Sequence, residues 1–116
     1  ILLAEQLLAE RVQFASSFNF GPGDEDAWPV DRIATKLAHL WGNGASWKCD
    51  SAPSPHENRI LRLDASKARV EIGWQPRLRI EAALEWTLDW YRAYEIGSSM
   101  EQVTQAQINT YEHLIQ

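Results

Sequence analysis

Cysteine is all but missing from this sequence. Cys49 stands alone among 116 residues, so no internal disulfide can close, and a reducing cytoplasm suits the chain better than an export route. Long apolar runs are missing too. The opening Ile1-Leu2-Leu3-Ala4 is interrupted by Glu5 and Glu10, far short of the roughly 20 apolar residues that a membrane-spanning helix needs. Positive charge is scarce: 11 Lys and Arg against 16 Asp and Glu leave a formal net charge of -5. The cations form no dense stripe, which argues against nucleic acid and anionic membranes as partners. An initiating Met is absent as well. The chain opens inside a helical pattern with no capping residue before it, which reads as a cut end.

What is present suffices for one small domain over residues 1–116, burying roughly two thirds of the surface that the unfolded chain exposes. Leu2, Leu3, Gln6, Leu7 and Glu10 recur at helical spacing, predicting the last turns of an amphipathic helix up to about Val12. Ser17-Phe18-Asn19-Phe20 alternates and stops at Gly21-Pro22-Gly23, which predicts a short strand. Beyond the acidic Asp24-Glu25-Asp26, Pro29 suits a first helical position, and Val30, Ile33, Leu37, Leu40 and Trp41 form one apolar stripe that Gly42-Asn43-Gly44 ends. Trp47 and Cys49 predict a second strand, with Cys49 buried, and Ile60 to Leu63 predict a third, across a Pro53-Ser54-Pro55 loop.

Asp64 is placed to cap a short helix through Ala65, Lys67 and Val70 that Gly73 ends. A long helix from Ile80 to about Glu95 carries two stripes, one of Ile80, Leu84, Leu88 and Tyr91 and one of Trp86, Trp90 and Tyr94, and so predicts two packing neighbours. Ser99 with Gln102 matches a capping box for a final helix containing Val103, Ala106, Ile108, Tyr111 and Leu114. The summed expectation is an α/β domain, few strands with several helices, too few for a complete doubly wound sheet.

Three segments carry a resemblance: Phe18-Asn19-Phe20-Gly21-Pro22 with the acidic run and Pro29-Val30, then Pro55-His56-Glu57, then Leu63-Asp64-Ala65-Ser66-Lys67-Ala68-Arg69. Together they resemble CDP-glucose 4,6-dehydratases. The continuation Gly73-Trp74-Gln75-Pro76, Ala83-Leu84-Glu85 and Thr87-Leu88-Asp89-Trp90-Tyr91 is similar to the closing region of extended short-chain dehydrogenases more broadly. The resemblance implies the small C-terminal, substrate-binding domain of an incomplete Rossmann-type parent fold. The intact enzyme would be an NAD-dependent lyase that moves hydride from the sugar's C4 to NAD, eliminates water across C5 and C6, and returns hydride at C6. The family's glycine-rich dinucleotide loop and Tyr-x-x-x-Lys pair are not in this sequence: Tyr91, Tyr94 and Tyr111 are followed four residues later by Glu95, Ser98 and Ile115. No catalytic residue is carried over, and NAD is implied only for the full-length enzyme.

By the same resemblance, His56, with Pro55, Glu57 and Asn58 around it, falls in the segment expected near the nucleotide, where an imidazole can donate to phosphate or stack on a base. An exposed loop histidine is the competing reading. Arg59 and Arg62 are placed for charge-assisted bonds to a pyrophosphate, or for a solvated strand face. Asp24, Glu25 and Asp26 are read as complements to the next helix's positive end rather than as a metal site. Lys67 and Arg69 read as packing and capping residues. Trp41, Trp74, Trp86 and Trp90 fit a core, whereas Trp28 and Trp47 are open to a base or a partner. His39 and His113 lack carboxylate or cysteine at metal-ligand spacing.

The functional expectation is a nucleotide-sugar-binding portion, of CDP-glucose type, completed by an N-terminal Rossmann part. The alternatives are a stand-alone binding or homodimerisation module, or the same portion of a dTDP- or GDP-sugar enzyme.

Overall fold

The computed structural model describes residues 1–9, 12–50 and 63–114. Five α-helices are found there: α1 (Leu2–Ala9), α2 (Val30–Trp41), α3 (Ser66–Ile72), α4 (Ile80–Glu95) and α5 (Met100–His113), with a 3-10 turn at Asp24–Asp26. There is no strand among the described residues, and this overturns the α/β expectation. Residues 17–20 and 45–50 do run without helix or turn, as their alternation suggested. A strand, however, exists only through a ladder of hydrogen bonds to a neighbour, and no described segment pairs with either. Trp47 instead sends its indole N–H to the Thr35 hydroxyl at 3.1 Å, and Cys49 is exposed rather than buried. Of the third expected strand only Leu63 is described, and it is exposed.

The chain groups into two compact units, Ile1–Ala27 with Ser54–Pro76, and Trp28–Pro53 with Arg77–Gln116. In the first, α1 packs on α3 around a small core of Phe14, Ala68 and Ile72, with Leu3, Leu7, Phe18 and Trp74 against it. The four-residue step from Leu3 to Leu7 puts both on one face of α1. Leu2 and Leu8 project elsewhere and are exposed. α3 ends at Gly73, whose φ of 65° is left-handed and therefore suits a residue without Cβ. The amides of Gly73 and Trp74 both reach the Ala68 carbonyl there.

In the second unit α4 lies between two neighbours, packing on α2 and on α5, as its two stripes predicted. Leu84 and Leu88 are its buried residues, each burial contributing about 1.5–3 kcal/mol. Side chains reach from helix to helix. Gln107 donates to the Trp86 carbonyl at 2.8 Å, the Trp90 indole donates to Thr104 Oγ1 at 3.1 Å, and the Arg92 guanidinium donates to the carbonyls of Leu40 and Trp41 at the end of α2. Gly97, at φ 75°, closes α4, with the Ser98 amide bonded to the Ala93 carbonyl at 2.9 Å. Ser99 is the residue before α5, as the capping box placed it, but its side chain makes no cap hydrogen bond. Pro29 lies just outside α2 rather than at its first position.

Candidate functional site

Pro55, His56, Glu57 and Arg59, the residues assigned to substrate from the sequence, lie outside the described residues, as do Asn58 and Arg62. What is described is the corner from which that segment emerges at Leu63, and this corner joins the other motifs. The Asn19 side-chain amide donates to the Asp64 carbonyl at 3.4 Å. Lys67 Nζ donates to Ser16 Oγ at 2.8 Å and to the Ser17 carbonyl at 3.1 Å. The same ammonium stands 4.5 Å from the centre of the Phe18 ring, a cation-π contact. Phe20 meets Trp74 edge to face, with ring centres 5.1 Å apart. The Phe18-to-Pro22 segment is thereby fastened to Asp64–Lys67 and to the Gly73-Trp74 turn, far apart in sequence and adjacent in space.

Gly21 runs close beside Leu63: a Cβ added there would come into contact with the Leu63 Cβ at 3.4 Å. Asp64 anchors the other side. Its Oδ1 accepts from the Ser66 amide at 2.8 Å, one residue ahead of the Ala65 position that precedes α3. Hydrogen bonds from the Ser66 side chain and backbone, with a smaller contribution from Arg69, hold its carboxyl below the ordinary 3.8. The packing reading of Lys67 is thus given named partners. That the partners are Ser16, Ser17 and Phe18 was not legible in the sequence, because pairs some 50 residues apart leave no periodic signal.

The acidic run differs from its expectation. Asp24–Asp26 form a 3-10 turn of their own, with the Asp26 amide bonded to the Gly23 carbonyl at 3.0 Å and Asp26 itself buried. The acid in the first turn of α2 is Asp31. In the second unit, Trp28, Asp31, Arg32, Thr35, Lys36, His39 and Glu81 line a shallow open pocket, and Arg32 covers the Trp28 ring at 3.5 Å. Trp28 precedes α2, so this stacking across the helix start leaves no periodic signal in the sequence. Among the described residues no three His, Cys, Asp or Glu side chains gather as a metal site would require. The described side-chain ties hold separate segments in place.

Over 111 residues the chain is 39% identical to the CDP-glucose 4,6-dehydratase of Salmonella typhimurium. This chain is a relative of that enzyme. The match takes in 96% of the chain but only 31% of the enzyme, so the chain spans about a third of its relative's length. The resemblance drawn from the motifs is therefore borne out, over 96% of the chain. No family model matches the chain.

Proposed function

We propose that the chain is the nucleotide-sugar-binding, C-terminal portion of a CDP-glucose 4,6-dehydratase-like enzyme of deoxysugar biosynthesis, acting in the cytoplasm and not catalytic by itself. The observation that carries this reading is the 39% identity over 96% of the chain to a CDP-glucose 4,6-dehydratase. Pro55, His56, Glu57 and Arg59 are the residues assigned to the nucleotide sugar. NAD does not fit the residues present. The glycines with positive φ, Gly42, Gly44, Gly73 and Gly97, all follow helix ends, whereas a dinucleotide loop needs glycines that lead into a helix N-terminus. In this reading NAD and the chemistry are supplied outside these residues.

Calorimetric titration with CDP-glucose, dTDP-glucose and a GDP-sugar tests the proposal. The expected result is preferential binding of CDP-glucose that weakens in the His56→Ala variant. Failure of CDP-glucose to bind both this chain and the longest polypeptide read from the same gene would refute it. A second reading, a non-enzymatic module that dimerises, is favoured by the apolar residues that α1 leaves in solvent, Leu2 at 44% and Leu8 at 78% exposure. Light scattering on the eluting protein, with Leu8→Glu beside the parent, separates the two.

A further inference from the structure

Three asparagines are described, and their surroundings differ. Asn19 uses its amide nitrogen on the Asp64 carbonyl at 3.4 Å and is followed by Phe20. Asn109 accepts from Gln105 Nε2 at 2.9 Å on Asn109 Oδ1, inside α5 and followed by Thr110. Asn43 is exposed, and among the described residues nothing bonds its side chain. It is followed by Gly44, and the space where a Gly44 Cβ would stand is empty to 4 Å. Asn43 sits at φ 51° and Gly44 at φ 75°, in a turn closed by the Ala45 amide on the Gly42 carbonyl at 2.9 Å. This is the positive-φ geometry that Asn-Gly favours. The chain from Asn43 to Asp50 is exposed throughout, so local opening of the turn involves little loss of packing.

We propose that Asn43-Gly44 is a site of spontaneous deamidation, a covalent modification with water as the only co-reactant. The Gly44 backbone nitrogen attacks the Asn43 side-chain carbonyl carbon. A carbon–nitrogen bond forms, the bond to Nδ2 breaks, and ammonia leaves with the Gly44 amide proton, giving a five-membered imide. Water then opens either carbonyl, so the product is aspartate or, with the backbone rerouted through the side chain, isoaspartate. Glycine permits this because it places no side chain beside the attacking nitrogen and restricts its approach least, and asparagine is among the residues that proteins built for heat avoid. The site matters for its position. Either product puts a carboxylate just past the negative end of α2, next to the Leu40 and Trp41 carbonyls held by Arg92. Isoaspartate also adds a methylene to the backbone of the turn, so the Ala45-to-Gly42 hydrogen bond that closes it can no longer span the same number of backbone atoms.

The test is to hold the folded protein at neutral pH and physiological temperature, sample over days, and digest with trypsin. Residues 37–48 form one peptide whose sole side-chain amide is Asn43. The expected result is a growing fraction of this peptide carrying hydroxyl in place of amide, many-fold ahead of Asn19 and Asn109, with isoaspartate detected by enzymatic methylation and lost in Asn43→Ser. An unchanged mass for this peptide overturns the proposal, and so does an isoaspartate signal that persists undiminished in Asn43→Ser.

Discussion

Asp64 shows how much a single residue of a shared motif can hold. Its carboxylate accepts from Ser66, and its backbone carbonyl accepts from Asn19, so one position fixes the start of α3 and the approach of the Phe18-to-Pro22 segment. Because its folded pKa lies below the ordinary 3.8, the stabilisation it contributes is complete above that ordinary value and disappears as pH falls through the lowered one. Acid unfolding of Asp64→Asn should therefore show a shallower loss of stability below about pH 4 than the parent does, the two curves differing most at neutral pH. Denaturant titrations across the acid range check this, and parallel curves would remove Asp64 from the account. The sequence placed Asp64 at the helix start because Asp accepts from free amides. It could not place Asn19 or Lys67 in the same corner, since nothing local links them. Cys49 was misread for a related reason: alternation with Trp47 was taken for one buried face, but Trp47 is itself 43% exposed, and with no second layer the alternation selects no inside.

Among the elements, α4 was read from its sequence nearly whole, from bounds to neighbours. Two apolar stripes on one helix can be satisfied only by two packing partners, and α2 and α5 supply them. Replacing Leu88, 7% exposed, by Ala should destabilise the protein by about 2–4 kcal/mol through lost contacts and a residual cavity. Chemical denaturation measures it, and a loss below about 1 kcal/mol would mean that the site collapses around the smaller side chain. The strands failed where the helix succeeded, and the contrast is physical. A helix satisfies its backbone within its own segment, so its local pattern is nearly sufficient evidence. A strand satisfies its backbone on another segment, and alternation in residues 17–20 or 46–49 contains no information about whether that other segment exists.

At the scale of the whole molecule, the two units differ in what holds them. One has a core built on Phe14, Ala68 and Ile72, and the other a helix gripped from both sides. Native-state hydrogen exchange should find the slowest amides in the middle of α4 around Leu84 to Leu88, and early exchange in α1, which contains no buried residue. Uniform protection across both helices would contradict this. The candidate site was legible only as a resemblance, and its residues Pro55, His56, Glu57 and Arg59 lie outside the described residues.

Arg92 grasps α2 by the carbonyls of Leu40 and Trp41, and Gln107 grasps α4 by the carbonyl of Trp86. Every amino acid carries the same carbonyl. Natural variation can therefore rewrite the gripped positions while leaving the grip intact, whereas the gripping side chains have no such freedom. Among distant relatives of this fold, constancy should gather on Arg92 and Gln107 and drift on the residues whose carbonyls they hold, so that a comparison looking for pairs of positions changing together would find nothing at these ties.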